Sequence, residues 1–250
     1  MESASTPAPG ATGTEGLIEA QRLPWRERAS ERTLVRDGRR WTKWTAMVAI
    51  GFGAPAATVL ALDLWLFPVA ILLSVHGYLI CRMQAGRAVT SVVPLGSRSA
   101  RAGPAENSST GDPESVAIGL LGDLLDHSQR ELLLKTGLAM QRGRLGIWLL
   151  GERGALLVRP GGRRIFSFCV RVGEADDLPG GDRVAHLLLA LREDEEGFAT
   201  VANLGFSGAV WRCRRRMKPA QRPALEAAVA DARRQVQAGS AAHAHAHAAA

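Results

Sequence analysis

The sequence predicts an α+β fold in two parts, a two-helix transmembrane hairpin followed by a small cytoplasmic α+β domain with an antiparallel β-meander. One apolar block, residues 44–81, contains a single formally charged side chain, Asp63. Farther along, short apolar runs alternate with turns rich in Gly and Pro, which is typical of consecutive antiparallel strands. The predicted segments are a disordered basic cytoplasmic tail (1–43), the hairpin (44–81), a flexible linker (82–113), the domain (114–237) and a disordered Ala/His tail (238–250).

The charge balance favours anionic partners. The 250-residue chain has a net charge of +7, and nearly all of its cations are arginines. Abundant Arg, Ala and Gly are what a GC-rich bacterial genome encodes, so the preference for Arg does not by itself indicate phosphate recognition. The three cysteines are widely spaced and form no CxxC pair, which favours free thiols in a cytoplasmic domain.

The length of the apolar block indicates two membrane spans. As a single helix its 38 residues would extend for roughly 57 Å, nearly twice the roughly 30 Å of hydrocarbon in a bilayer. A turn at Asp63 divides the block into two short spans and keeps the carboxylate away from the bilayer centre, where it would cost roughly 3 kcal/mol. Pro68 then falls in the first turn of the second helix, where its missing N–H is harmless.

Basic and aromatic residues flank the block as expected of a hairpin with both ends inside. Trp65 is expected at the outer interface, and Trp41 and Trp44 at the inner one. Cations precede the first span and follow the second, namely Arg32, Arg36, Arg39, Arg40, Lys43, Arg82, Arg87, Arg98 and Arg101. The positive-inside rule therefore predicts a multi-pass protein of the bacterial inner membrane with both termini cytoplasmic. Two alternatives stay open, a hairpin buried in a soluble fold and a re-entrant hairpin that does not cross.

Small residues recur every four positions in the first span, which predicts a face that another helix can approach closely. This small-residue stripe consists of Ala49, Gly53, Ala57 and Ala61. Asp63 and His76 suggest a transport or proton-relay pathway as an alternative. Two short spans do not enclose such a pathway without oligomerising, so anchoring is the preferred interpretation.

The domain begins with helical periodicity and continues with strands. Residues Glu114–Met140 carry an apolar helical face that a break near Asp126–Gln129 divides. The meander is predicted from three apolar runs, 146–150, 155–159 and 164–172. In the third run every second residue from Phe166 to Val172 is apolar, so that set is expected to face the core.

The rest of the domain is predicted to alternate between helix and strand. Asp182 is expected to cap a helix over Arg183–Glu193. Strand-like runs follow at Phe198–Leu204 and Ala209–Arg214, and a last helix covers 219–237. The order helix, meander, helix, hairpin, helix implies an α+β domain.

No motif commits the domain to a reaction or to a cofactor. Its serines, thiols and histidines lack the surroundings of a nucleophile–base pair. Asp176, Asp177 and the acids of 193–196, with His186, are candidates for a metal-dependent hydrolase or nuclease, although solvated acids are commoner. The segment LLGERGALLV resembles nuclease-related domains of the restriction-endonuclease type, but the Asp and the Glu-x-Lys by which those domains bind metal are absent, so no family is assigned.

The distinctive feature of the domain's sequence is a cluster of basic residues. It comprises Arg212, Arg214, Arg215, Arg216 and Lys218, with Arg163 and Arg164 expected nearby. Such a cluster can contact the phosphates of anionic lipid headgroups or of nucleic acid. The preferred hypothesis is a non-enzymatic binding or regulatory module for a protein partner or the membrane surface, with nucleic-acid binding as the alternative. His243, His245 and His247 suggest transition-metal capture, but a solvated tail is the simpler interpretation.

Overall fold

Five antiparallel strands form one sheet in which each strand pairs with the next along the chain, so the predicted meander is confirmed. The computed structural model describes residues 17–95, 113–170 and 178–248, with side chains described as far as residue 240. The strands are β1 (Ala139–Arg142), β2 (Ile147–Gly151), β3 (Gly154–Val158), β4 (Arg164–Cys169) and β5 (Asn203–Ala209).

Helices precede the sheet, cover it and follow it. Those described are α1 (Ile18–Gln21), α2 (Glu31–Leu62), α3 (Phe67–Thr90), α4 (Pro113–Asp123), α5 (His127–Thr136), α6 (Gly180–Glu193), α7 (Glu195–Val201), α8 (Val210–Arg214) and α9 (Arg222–Ala248). Short 3-10 turns occupy Leu64–Leu66 and Pro219–Gln221. The α+β class is therefore confirmed.

The sheet is buried on both faces, because helices pack on each side of it. Trp148, Leu157 and Phe166 belong to a core formed with α4, α6 and α7. Leu156 and Ile165 point the other way, into a core formed with α3, α8 and α9. Phe166, Phe168 and Val170 do face the core, as predicted, and Val172 lies outside the described residues. The intervening Ser167 is buried as well. Continuous apolar strands are the sequence mark of a sheet covered on both faces.

The first helical region ends earlier than the sequence predicts. The predicted break is confirmed at Asp126, whose carboxylate accepts a hydrogen bond from the Gln129 amide at 2.8 Å and so caps α5. Gly137 then ends α5 with a φ of 69°, a left-handed conformation that suits glycine. The residues that follow form β1 instead of more helix, since they pair with β2.

The predicted second hairpin is wrong. Asp194 caps α7 by accepting a hydrogen bond from the Gly197 amide, so most of the run Phe198–Leu204 is helical. The run Ala209–Arg214 is helix α8, and only β5 lies between the two helices. Asp182 does not cap α6 either. That helix begins at Gly180, where the Glu114 carboxylate accepts from the Gly180 amide at 2.7 Å.

The apolar block forms a helical hairpin, and its turn lies where the sequence predicts it. Helix α2 ends at Leu62, and Asp63 accepts a hydrogen bond from the Trp65 amide at 2.9 Å. Pro68 lies in the first turn of α3. Trp65 is 90% exposed at the tip. The chain thus reverses at its one acidic residue in this block.

Both apolar helices are long enough and apolar enough to cross a membrane, and they are barely covered by the rest of the described chain. Only 6% of the most apolar window of α2 is buried, and 11% of that of α3. Met47, Ile50 and Leu72 are all more than half exposed. Within the described residues, the hairpin is therefore not buried in the chain's own domain.

Two residues of the small-residue stripe, Gly53 and Ala57, line a groove between α2 and α3, but the stripe is not buried there. Ala49, Gly53, Ala57 and Ala61 are all exposed. The helices instead meet where the Phe52 side chain lies over Gly77, so closely that a Cβ on Gly77 would come within 2.8 Å of it. Ala56 and Ala70 are buried in the same contact. The close approach of another helix to the stripe stays a prediction.

Residues 17–43 are packed on the domain and do not form a disordered tail. A capping box at Ser30 and Thr33 starts α2 well before the apolar block. Leu34 is 3% exposed within the core, and Arg28 pairs with Asp194 at 2.9 Å. Residues 1–16 lie outside the described ranges.

The predicted flexible linker is also wrong for residues 82–95. Helix α3 continues to Thr90, and Ala88 and Val92 are at most 1% exposed in the core beside the sheet. The hydroxyls of Ser91 and Ser167 lie 2.6 Å apart, and the Glu152 amide donates to the Val93 carbonyl at 2.9 Å. The rest of the predicted linker, residues 96–112, falls outside the described chain. Hairpin and domain are therefore continuous through both helices.

At the other end, α9 extends the predicted last helix to Ala248. The predicted disordered Ala/His tail is therefore helical as far as its backbone is described. The side chains of His243, His245 and His247 lie outside the described part, so the metal-capture prediction for them is untested.

Candidate functional site

Arginine and aromatic side chains surround the base of the hairpin, where it emerges from the domain. We call this the collar. It contains two grooves, the arginine groove between α3 and α8 and the tryptophan groove between α2 and α3. The arginine groove is lined by Thr45, Tyr78, Cys81, Arg82, Ala85, Trp211, Arg212, Arg215 and Arg216. The tryptophan groove is lined by Arg40, Trp41, Trp44, Gln84 and Arg87.

The arginine groove brings together three of the predicted anion-contact residues. Arg212 donates to the Cys81 carbonyl at 2.8 Å and stacks on Phe206, so it fastens α8 to α3. Arg215 lies over the Trp211 ring at 5.0 Å, and Arg216 reaches the Arg82 carbonyl at 3.5 Å. None of the described residues that line the groove is a carboxylate, and the groove has a volume of about 320 Å³. The groove is therefore a cationic site open to an anion.

A buried thiol holds α8 in this position. Cys213 of α8 is fully buried in the core that α3, α8 and α9 form with the sheet, and burial raises its pKa to about 12. It stays neutral at physiological pH and acts as a small apolar side chain. With Cys213 facing inward, the neighbouring side chains Arg212, Arg214 and Arg215 are directed to other sides of the short helix.

The other predicted anion-contact residues are not in the collar grooves. Arg214 pairs with Glu226 of α9 at 2.8 Å, so its charge is already compensated. Lys218 and Arg163 are exposed outside both grooves. Arg214 and Lys218 are therefore close in sequence to residues of the arginine groove without lining it, and Arg163 does not line it either.

Arg164 has a structural role at the domain end of α2. Its guanidinium donates to the Gly38 carbonyl and, at 2.6 Å, to the Thr42 hydroxyl. Burial, and secondarily the nearby charge of Arg159, lowers the pKa of Arg164. Two of its five guanidinium donors are thus used inside the chain, and contact of Arg164 with an external anion stays a prediction.

The tryptophan groove has a fixed floor and two cationic sides. Trp41 packs on Phe206 of the sheet with ring centroids 5.7 Å apart, while Trp44 is half exposed toward the apolar part of the hairpin. Arg40 and Arg87 come from the two different helices. Gln84 is 7% exposed, and neither its Nε2 nor its Oε1 has a hydrogen-bond partner among the described residues.

Some collar residues were foreseen and others were missed. The sequence placed Trp41 and Trp44 at a membrane interface and Arg82 among the basic flanks, without bringing them into one site. Gln84 and Trp211 were missed. The signal for Gln84 was a polar residue next to the buried Ala85 and one helical turn before the buried Ala88, which is visible only once α3 is known to continue.

The candidate metal-binding acids are mostly committed to structural contacts. Glu195 accepts hydrogen bonds from the amides of Arg144 and Leu145 and from Trp148 Nε1, at 2.6, 3.0 and 2.6 Å. Glu196 pairs with Arg28 and Arg144. Among the residues described, no group of three His, Cys, Asp or Glu side chains is placed to hold a metal ion.

The other members of that candidate set do not join them. Glu193 and His186 are exposed on α6. Asp176 and Asp177 lie outside the described residues. The pocket of acids around His186 that an enzyme would need is therefore not formed within the described ranges.

Comparisons with protein-family models, with curated proteins and with solved structures found no match to this chain.

Proposed function

We propose that this chain is a membrane-anchored binding module of the bacterial inner membrane, with the α2–α3 hairpin as a two-span anchor, and that its domain acts at the membrane surface without catalysing a reaction. The observation that carries the proposal is the order of surfaces along the hairpin. Bare apolar helices come first, then a collar of Trp, Tyr and Arg, then the packed domain. That order matches hydrocarbon, headgroup region and water.

The dimensions of the hairpin support a full crossing. From Trp44 in the collar to Leu62 at the turn, α2 rises roughly 28 Å, close to the roughly 30 Å of the hydrocarbon core. Asp63 and Trp65 then reach the far interface. A re-entrant hairpin would leave the Asp63 carboxylate within hydrocarbon, at a cost of roughly 3 kcal/mol.

The charges of the collar support a cytoplasmic domain and contact with anionic headgroups. Each arginine near an anionic leaflet contributes about 1 kcal/mol of attraction. Arg82, Arg215 and Arg216 lie at the hairpin base, whereas the turn has no cation. The positive-inside rule then places both termini in the cytoplasm.

The same geometry makes nucleic acid the weaker alternative. A nucleic acid would have to approach the arginine groove beside the apolar helices, where lipid would stand. Outside the groove, Arg214 is already paired with Glu226. For these reasons lipid is the anion that the collar fits best.

The anchor is tested in sealed vesicles of the inner membrane by labelling single cysteines, introduced after Cys81, Cys169 and Cys213 are replaced by alanine. We expect Trp65→Cys to react only with an impermeant reagent on the outer side, and Gly239→Cys only with one on the cytoplasmic side. Release of the chain by alkaline carbonate, or equal labelling of both positions from one side, would refute the two-span anchor.

The headgroup contact is tested by hydrogen exchange of α8 in nanodiscs of phosphatidylcholine with and without phosphatidylglycerol. Phosphatidylglycerol is expected to slow exchange in Val210–Arg214. A combined Arg82→Gln, Arg215→Gln and Arg216→Gln variant should lose this protection, whereas Arg214→Gln, the matched control, should keep it. Equal protection in both lipid compositions would contradict headgroup contact.

A further inference from the structure

The tryptophan groove combines features that a purely structural junction would not retain. Gln84 is an amide that is more than nine-tenths buried with no partner for its donor or its acceptor in the described chain. A buried polar side chain without a hydrogen-bond partner destabilises the folded protein. A leucine would fill the same place on α3 without that cost, so the amide points to a ligand.

The cations of the groove lack strong partners in the protein. The Arg87 side chain has no partner among the described residues, and only its carbonyl is used, by the hydroxyls of Thr90 and Ser167. Arg40 is 4.0 Å from Asp37, at the outer limit of an ion pair, and its side chain is 75% exposed. Two guanidinium groups from opposite helices thus face the same opening, which suits a phosphate.

We propose that the tryptophan groove binds the headgroup of one anionic phospholipid whose headgroup carries a hydroxyl, as phosphatidylglycerol does. The phosphodiester lies between Arg40 and Arg87. Gln84 needs both an acceptor for its Nε2 and a donor for its Oε1, and a phosphate oxygen together with a headgroup hydroxyl supplies both. This inference rests on the proposed membrane anchoring.

The size and position of the groove select a membrane lipid over a free phosphate ester. Its volume of about 310 Å³ is at the small end for ligand sites and holds a headgroup but not acyl chains. Trp44 is 49% exposed at its edge, and Met47, one turn on, is 70% exposed. Acyl chains continue along this apolar face of α2, and Trp41 provides a rigid wall beside the headgroup.

The binding test uses the full chain purified in a non-denaturing detergent and native mass spectrometry with added phosphatidylglycerol or phosphatidylcholine. The wild type is expected to retain one phosphatidylglycerol at concentrations at which phosphatidylcholine is lost. Gln84→Leu and Arg87→Gln should each weaken this binding about tenfold or more. The first removes both hydrogen bonds of the amide, and the second removes a charge-assisted hydrogen bond to the phosphate. Arg39→Gln is the matched control, since Arg39 is an exposed neighbour on α2 that does not line the groove.

A second measurement separates binding from folding. Without lipid, Gln84→Leu should melt at or above the temperature of the wild type, because it removes an unpartnered buried amide. Wild-type retention of phosphatidylglycerol by Gln84→Leu would overturn the proposal. So would equal binding of soluble glycerol phosphate, which would make the site one for a free ester. These outcomes differ from failure of the anchor itself, which carbonate extraction reports independently.

Discussion

Val92→Ala and Gly86→Ala together test whether α3 and the residues directly after it are packed on the domain. Val92 is 1% exposed and also anchors Gln221, whose amide donates to the Val92 carbonyl at 2.9 Å. Removing two buried carbons costs about 0.8 kcal/mol for each, and the cavity left behind raises the total to about 2–3 kcal/mol. Gly86 lies in the interior of α3, and a Cβ there would meet nothing within 4 Å. Gly86→Ala should therefore stabilise the domain by about 1 kcal/mol.

The assay is urea unfolding in a non-denaturing detergent, in which pulse proteolysis measures the folded fraction at each urea concentration. We expect Val92→Ala to lower the free energy of unfolding and Gly86→Ala to raise it, although the two positions are only six residues apart. A flexible segment would give changes below about 0.5 kcal/mol for both substitutions, as surface positions usually do. That result would refute the continuity of hairpin and domain.

Three further predictions concern the domain. Glu195→Ala leaves three N–H donors without their acceptor and should destabilise the domain by about 3 kcal/mol in urea unfolding, whereas a change below 1 kcal/mol would contradict its structural role. Asp126→Ala should cost about 1 kcal/mol at pH 7. The Gln129 amide, and then the Ser128 hydroxyl, lower the pKa of Asp126, so its charge-dependent contribution is present above the ordinary value of 3.8 and is lost as the pH falls through the lower folded pKa. A Tm difference that persists unchanged at pH 2 would argue against this. Cys213 should react with a maleimide at pH 8 only after denaturation, and rapid labelling of the native protein would show that α8 is not held as described.

The parts of the fold that were predicted correctly are those set by the thickness of a bilayer or by residues close to them in the sequence. The position of the hairpin turn followed from one acid in an apolar block and from the thickness of a bilayer. The strands β2, β3 and β4 followed from turn residues at Gly151–Gly154 and 160–162, where glycines adopt positive φ at 154, 161 and 162. These signals lie within a few residues of the structure that they specify.

The parts that were missed depend on partners far along the chain. Residues 82–95 contain Arg, Gly and Ser and resemble a linker, but Ala88 and Val92 are buried by strands that come more than 60 residues later. Strand β1 is a short polar sequence that is ordered by pairing with β2. The run Phe198–Leu204 has strand-like composition, and the Asp194 cap directs its first part into a helix instead. Periodicity alone did not settle these cases.

The sequence predicted the chemistry of the candidate site but not which residues form it. The arginine-rich stretch 212–218 was recognised, yet only the register of a five-residue helix decides that Arg215 faces the groove and Arg214 faces Glu226. Arg164 was predicted as an anion contact from its position beside Arg163, and its hydrogen bond to Thr42 of α2 could not be predicted from the sequence. Charge density in a sequence therefore identified the region, while folding determined which of its cations stay available.

The most direct test of the membrane anchor is a depth profile by electron paramagnetic resonance in reconstituted vesicles, with single spin labels along the exposed side of α2. The labelled positions are Met47, Ile50, Ala54, Thr58 and Leu62, all exposed in the structure. For a crossing helix, accessibility to oxygen relative to a polar nickel reagent should peak near Ala54 and decline toward Met47 and Leu62. A steady increase as far as Leu62 would show a re-entrant hairpin, and high nickel accessibility throughout would show that the hairpin does not enter the bilayer.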